Sequence, residues 1–220
     1  MIGDILPLAA GVALSPLAIL AVILMLTSKR AKSTSFSFML GWVLGLIAVG
    51  GVALTLADTQ ELSSGLPALV ALVIRFALAA LLLFLAYRQW NKRPKTGSAP
   101  QVPKWMDAID SIMPIRAFGF AVLLSAVKPK NLILTVAAAL DIAQGTVNTV
   151  QGVIGLVVYV LIASSSIMAP VVLFLVLGDK AVWLLEGLKR WFVDNNATVM
   201  FVVLLVFSAV LIAEGVNGVL

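Results

Sequence analysis

The stretch LLSAVKPKNLILT, residues 123–135, interrupts a long apolar run with two lysines and a proline. A proline removes a backbone donor and breaks a helix, and a lysine at the centre of a bilayer costs on the order of 3 kcal/mol. In lipid, a broken helix is tolerated only where the freed backbone groups face protein or water. Lys128 and Lys130 are therefore expected either to pair with buried acids or to line a cavity that receives an anionic group.

The composition of the whole chain is that of a membrane protein. Of 220 residues, 62% are hydrophobic and 11% are charged, and the mean hydropathy is +1.13. A soluble domain is typically about 45–50% apolar and about 25% charged. Cysteine and histidine are both absent. This absence removes the thiolate nucleophile and the commonest general base and metal ligand, so we expect no enzymatic activity, no cofactor and no metal site.

Six apolar runs are long enough to cross a bilayer, whose core of about 30 Å needs about 20 residues per helix. They lie at about residues 5–26, 36–57, 66–87, 117–140, 148–177 and 197–219. The first run lacks the basic segment and cleavage site of a signal peptide, so we expect it to be retained. The predicted fold is an all-α integral membrane protein with six transmembrane helices.

The basic residues between these runs all fall on one side of the predicted membrane. Twelve of the 15 Lys and Arg are there: Lys29, Arg30, Lys32, Arg88, Lys92, Arg93, Lys95, Lys104, Arg116, Lys180, Lys189 and Arg190. Cytoplasmic loops collect Lys and Arg, so both termini are expected outside the cytoplasm, in a multi-pass protein of the inner (plasma) membrane. The net charge of +5 is explained by this orientation rather than by nucleic-acid binding.

A basic linker at 88–116 divides the chain into a first three-helix repeat, 1–87, and a second, 117–220. The segment 105–113 is expected to form a short interfacial helix with Trp105 at headgroup depth, and 181–192, which has the same character, is expected to anchor at the interface. A regulatory or partner-binding role is the alternative. Pro16 and Pro129 lie about 11 or 12 residues into the first helix of each half, near the midplane. Three helices per half insert the second copy upside down, which is the inverted-repeat pattern of secondary transporters with sites at mid-membrane helix breaks.

Three basic residues, Arg75, Lys128 and Lys130, lie inside predicted spans, whereas Asp141 and Glu214 lie near the outer ends of theirs. The excess of deep cations predicts an anionic or zwitterionic substrate group. The sequence leaves alternatives open. The two lysines could instead snorkel to the cytoplasmic surface, and Arg75 could form a structural ion pair or clamp a carbonyl. Asn131 could bind substrate or satisfy the carbonyls freed by Pro129.

Three motifs resemble the GAP/Sap family of glycolipid- and sulfolipid-addressing proteins, within the lysine-exporter (LysE) superfamily. They are G-x-x-L-S-P at 11–16, S-A-V-K-P-K-N-L at 125–132, and the ending with Gly215, Gly218 and Leu220. The resemblance covers essentially the whole chain. Lys128 stands where the superfamily commonly has the asparagine of N-P-K. In addition, the first helix has Ser-Pro where the amino-acid exporters have Pro-Gly-Pro. Both departures favour the lipid-addressing branch, whose members move envelope glycolipids or peptidolipids to the cell surface.

The resemblance and the deep cations together predict a secondary transporter or flippase-like exporter of an amphipathic, anionic envelope lipid or its precursor. The candidate substrate-binding residues are Lys128, Lys130, Arg75, Asn131 and Ser15, and the candidate helix breaks are Pro16 and Pro129. No G-x-x-x-x-G-K-[ST] motif is present, so the chain is not expected to hydrolyse ATP. The alternatives are an amino-acid or small-metabolite exporter, and a non-transporting accessory subunit of a lipid synthesis or export complex. The second and fifth predicted helices carry rows of glycines, here called the glycine seams, that include Gly41, Gly45, Gly152 and Gly155. Whether these seams pack within one chain or between the two chains of a homodimer stays open.

Overall fold

The structure, a computed structural model, describes residues 2–58, 68–91, 109 and 112–217. Within these ranges the chain is helical and contains no strand, which confirms the all-α prediction. The helices are α1 (Ile2–Ala13), α2 (Pro16–Leu26), α3 (Ala31–Asp58), α4 (Ala68–Asn91), α5 (Pro114–Val122), α6 (Pro129–Gly145), α7 (Thr149–Leu177) and α8 (Asp179–Asn217). A π-helical turn, Leu123–Val127, follows α5.

The first helix of each predicted half is broken at its proline. The axes of α1 and α2 differ by 49°, and the axis of α6 differs by 62° from that of α5 and the π-helical turn. Pro16 and Pro129 are the first residues of α2 and α6. Proline suits that position because its fixed φ fits a helix start and its missing N–H would have had no partner there. Runs 5–26 and 117–140 are therefore two bent pairs of segments.

Two described helices are long and apolar enough to cross a membrane, Ala31–Ala57 and Thr149–Leu177, and each bent pair provides one further candidate span. A shorter apolar helical stretch occupies Ala197–Val210. The third and sixth predicted spans, 66–87 and 197–219, extend into residues outside the described ranges. The six-span arrangement therefore stays a prediction, although the apolar helices agree with a membrane protein.

The segment 181–192 does not form a helix of its own, and its anchoring at the interface stays a prediction. It forms the beginning of α8, which runs without interruption for 39 residues. At 1.5 Å per residue such a helix is about 58 Å long, nearly twice the bilayer core. The predicted interfacial helix, 105–113, and most of the linker lie outside the described residues. Ile109, which is described, is buried.

The elements of the two halves follow the same order: a broken helix, a long helix and a third helix. Each long helix packs against the broken helix of the other half, α3 against α5 and α6, and α7 against α1 and α2. The third helices, α4 and α8, pack against each other, and the Trp90 and Phe201 ring centroids lie 4.7 Å apart. The halves are thus interleaved, and the two helix breaks lie between the long helices.

Glycines allow α3 to approach the second half closely. A Cβ added at Gly41 would collide with the carbonyl oxygen of Phe118, and one at Gly45 would collide with the Ser125 hydroxyl. Small residues at helix interfaces let backbones approach in this way in membrane proteins. At these two positions the glycine seam packs within one chain.

We expect Gly41→Ala to destabilise the protein, because the Phe118 backbone cannot move aside as a flexible side chain would. Overpacking of this kind typically costs about 1–3 kcal/mol. Gly51 is the matched control, since its added Cβ would meet nothing within 4 Å. Thermal unfolding in detergent should show a lower midpoint for Gly41→Ala and an equal or higher one for Gly51→Ala. Equal midpoints for both variants would contradict the close approach of α3 and α5.

Candidate functional site

Lys130 ties the beginning of the second half's α6 to the end of α1. Its side chain is buried, and Nζ donates to the Gly11 carbonyl oxygen at 2.6 Å and to the Leu14 carbonyl oxygen at 2.9 Å. The last carbonyls of a helix have no partner within the helix, and the negative end of the helix dipole favours a cation there. Lys130 therefore supplies the donor that the break at Pro16 requires.

Asn131 connects the two breaks directly. The Ser15 hydroxyl donates to Asn131 Oδ1 at 3.2 Å, and Asn131 Nδ2 donates to the Leu124 carbonyl oxygen of the π-helical turn at 2.8 Å. Ser15 and Asn131 are both buried. Of the two roles that the sequence left open for Asn131, the geometry shows the satisfaction of a backbone carbonyl near the break at Pro129.

Ser166 of α7 completes the contacts at the first break and was not among the predicted site residues. Its hydroxyl donates to the Ala13 carbonyl oxygen at 2.6 Å. The signal in the sequence was the run Ser164-Ser165-Ser166 inside an apolar span. The side chains of Ser15, Lys130, Asn131 and Ser166 are called the polar cluster below. At the break at Pro16, Lys130 and Ser166 of the second half donate to backbone carbonyls, and Ser15 of the first half donates to Asn131 of the second.

Lys128 differs from Lys130 although only one residue separates them. It lies in extended backbone between the π-helical turn and α6, with φ −61° and ψ 121°, and its side chain is partly buried. Within the described part of the chain, no hydrogen bond or salt bridge reaches its ammonium. Lys128 also lies close enough to Lys130 for its charge to repel that ammonium. The arrangement can bind an anion, because like charges at partial burial favour a negative partner.

The remaining candidate, Arg75, lies in α4, and its side chain is outside the described part of the chain. No group of three or more Asp or Glu side chains that could hold a metal ion occurs among the described residues. The structure thus brings Ser15, Lys130 and Asn131 into one cluster with Ser166. It places Lys128 beside that cluster, with an ammonium that has no partner in the described ranges.

Two apolar helices of membrane-spanning length, and two bent helix pairs that are broken at prolines and joined by buried polar contacts, define a helical membrane protein. One family model matches residues 5–217, that of Sap, sulfolipid-1-addressing protein. The match covers nearly all of the chain, and the chain belongs to this family. The resemblance seen in the sequence is therefore confirmed for the Sap family, while membership of the lysine-exporter superfamily stays a prediction. Neither the curated proteins nor the solved structures contain a match.

We expect Lys130→Met to lower stability far more than Lys128→Met. The Lys130 change keeps the length of the side chain but leaves the Gly11 and Leu14 carbonyls without their donor, and a buried unsatisfied group costs about 1–3 kcal/mol. Thermal unfolding midpoints in detergent check this difference. A larger loss from Lys128→Met than from Lys130→Met would contradict the division of roles.

Proposed function

We propose that the protein is a secondary transporter or flippase-like exporter that moves an anionic envelope lipid, or its precursor, outward across the inner membrane. The observation that carries this proposal is the partly buried ammonium of Lys128. It is unpaired among the described residues and lies beside a helix break. An ionisable residue at membrane depth is a candidate functional site by default, because burying it without a partner is costly.

The position of Lys128 supports transport rather than simple anchoring. Secondary transporters bind cargo near the midplane between structural repeats, at discontinuous helices. Here the two discontinuous helices meet across the polar cluster, and Lys128 is the residue immediately before the second break. Motion of one half against the other would alter the surroundings of Lys128 first.

The family supports a lipid as the cargo. Its description names sulfolipid-1 addressing, and a sulfolipid headgroup presents acceptor oxygens and negative charge to a cation. We assign the headgroup contact to Lys128, and to Lys130 a structural role at the end of α1. Arg75 stays a candidate contact. The chain acts without enzymatic chemistry, and its energy comes from an ion gradient, the substrate gradient or an associated envelope-lipid synthesis or export protein.

The proposal includes six spans in two inverted repeats, with both termini outside the cytoplasm. On this arrangement the turn between α6 and α7 lies outside the cell and the turn between α2 and α3 lies inside. The outer turn is well formed locally: Asn148 caps α7 by accepting from the Gln151 N–H at 2.9 Å. Val147 in this turn is 93% exposed.

Single cysteines test this orientation cleanly, because the natural chain has none. We expect Val147→Cys to react with a membrane-impermeant maleimide on intact cells. Lys32→Cys, in an exposed position at the start of α3, should react only after the cells are permeabilised. Labelling is read as a mass shift of the purified protein. The reverse pattern would contradict the proposed orientation.

Reconstitution in vesicles tests the transport proposal. A fluorescent sulfated glycolipid should cross the bilayer faster in vesicles that contain the protein than in protein-free vesicles. The measurement is the fraction of the fluorescent lipid that a quencher added outside the vesicles can reach in the outer leaflet. We expect Lys128→Met to lower the protein-dependent rate by about tenfold or more, because hydrogen bonds to charged groups contribute about 1.5–3 kcal/mol. Lys32→Met, which removes an exposed cytoplasmic charge, is the matched control and should export at the natural rate.

Two results would contradict the proposal in different ways. Equal rates for the natural protein and Lys128→Met would remove Lys128 from the headgroup site. If the natural protein alone moved no lipid, the exporter proposal would fail. The non-transporting accessory subunit would then be the better description.

A further inference from the structure

Two buried donors in the described part of the chain have no hydrogen-bond partner, the indole N–H of Trp42 and the hydroxyl of Ser164. Trp42 is in α3 and Ser164 is in α7, the equivalent long helices of the two halves. Both side chains are fully buried. A buried donor without an acceptor is rare in proteins and lowers the stability of the fold.

The packing of α3 on α7 places these donors at the same level. A Cβ on Gly152 would lie 3.5 Å from Leu54, and a Cβ on Gly50 would lie 3.7 Å from Leu156 Cγ. The two helices are therefore antiparallel, with residue 50 opposite 156 and residue 54 opposite 152. Trp42 and Ser164 each lie about eight residues from the contact of 50 with 156. At 1.5 Å per residue that is about 12 Å towards the same end.

The two donors also lie on the rows of residues four apart that carry the contacts between these helices. Residues four apart form a ridge on a helix surface, and ridges of this kind interdigitate when helices pack. On α3 this ridge contains Trp42, Leu46, Gly50 and Leu54, and on α7 it contains Gly152, Leu156, Val160 and Ser164. Measured along the helix axes, both donors lie about 17–20 Å from the ends of their helices that are proposed to be cytoplasmic. This depth is near the middle of the bilayer.

Ser164 lies close to the polar cluster but faces another direction. Ser166, two residues further along, donates to α1, and residues two apart in a helix point about 200° away from each other. Ser164 therefore faces away from α1, on the ridge that continues to the contact with α3. Among the described residues, the hydroxyl of Ser164 and the indole N–H of Trp42 therefore have no partner at one level of the two long helices.

We propose that Trp42 and Ser164 are headgroup-binding residues, which donate to the oxygens of an oxyanion on an amphiphile when α3 and α7 separate. This inference rests on the proposed function and identifies the chemistry of its cargo. The indole N–H can only donate and the hydroxyl can donate, so both can bond to a group that offers only acceptors, such as a sulfate or phosphate ester. In the conformation described here the site is closed and its donors are sealed from water. Separating α3 from α7 for cargo restores their hydrogen bonds.

Binding in detergent, measured by native mass spectrometry, tests this site separately from transport. The probes are a sulfated alkyl glucoside, its unsulfated parent and inorganic sulfate. The natural protein should bind the sulfated glucoside more tightly than either of the other two. We expect Trp42→Phe and Ser164→Ala each to weaken that binding about tenfold, with no effect on the unsulfated parent.

Matched controls and a stability readout separate this role from a structural one. Ser208→Ala removes a buried hydroxyl that already donates to the Leu205 carbonyl oxygen, and Trp183→Phe changes an exposed tryptophan; both should bind as the natural protein does. Ser164→Ala should leave the unliganded unfolding midpoint unchanged or raise it, since it removes an unsatisfied donor. If Trp42→Phe fails to fold, Ser164→Ala decides the question.

Unchanged affinity in Ser164→Ala, or a lower unfolding midpoint with unchanged affinity, would overturn this site. Binding of inorganic sulfate as tight as that of the sulfated glucoside would overturn the assignment to an amphiphile. If Lys128→Met alone lost affinity, the proposed function would stand and this site would fail. If the sulfated glucoside bound through Trp42 and Ser164 while reconstituted protein moved no lipid, this site would stand and the exporter would fail.

Discussion

The bonds from Lys130 to the carbonyls of Gly11 and Leu14 are the contact on which the rest of the structure depends. A helix broken in an apolar environment exposes backbone acceptors that water cannot reach, and each must find a donor within the protein. The first half has a break at Pro16, where the Ser15 N–H donates to the Ala13 carbonyl oxygen. Lys130 and Ser166 of the second half donate to the other exposed carbonyls and to Ala13. The fold therefore tolerates one break only in the presence of the other half. This dependence explains why the halves are interleaved rather than packed side by side.

The same arrangement concentrates polar groups at one depth and leaves some of them without partners. Lys130 and Asn131 are used in joining the halves, whereas the ammonium of Lys128 has no partner among the described residues. Within the described ranges, the indole N–H of Trp42 in α3 and the hydroxyl of Ser164 in α7 likewise have no hydrogen-bond partner. A protein selected only for stability would gain by replacing these three groups with apolar ones. Their presence is consistent with a second conformation in which an anionic cargo satisfies them, and the family's description supplies a cargo of that chemistry.

The positions of both breaks could be predicted because a proline disrupts a helix locally. The site residues beside them could be predicted because charged side chains are rare inside apolar spans. The sequence could not separate the roles of Lys128 and Lys130. The π-helical turn just before them shifts the phase of the helix, so the direction of each side chain depends on a backbone detail that hydropathy does not encode. Ser166 was missed because a serine in an apolar helix looks the same whether it packs or donates. Residues 181–192 join the sixth predicted span in α8, a continuity that the change in polarity between them did not indicate. No proline or glycine interrupts the helix between 188 and 214.

A disulfide across the two halves tests the central claim, that transport needs them to move at the breaks. A Cβ at Gly45 would lie 3.3 Å from Ser125 Cβ, close to the separation that a disulfide requires, so Gly45→Cys with Ser125→Cys would join α3 to the π-helical turn. The measurement is lipid export by this variant in vesicles, oxidised and then reduced. The account predicts background export when the disulfide is formed and recovery when it is reduced, with each single cysteine variant insensitive to oxidation. Equal export in the oxidised and reduced states would contradict it.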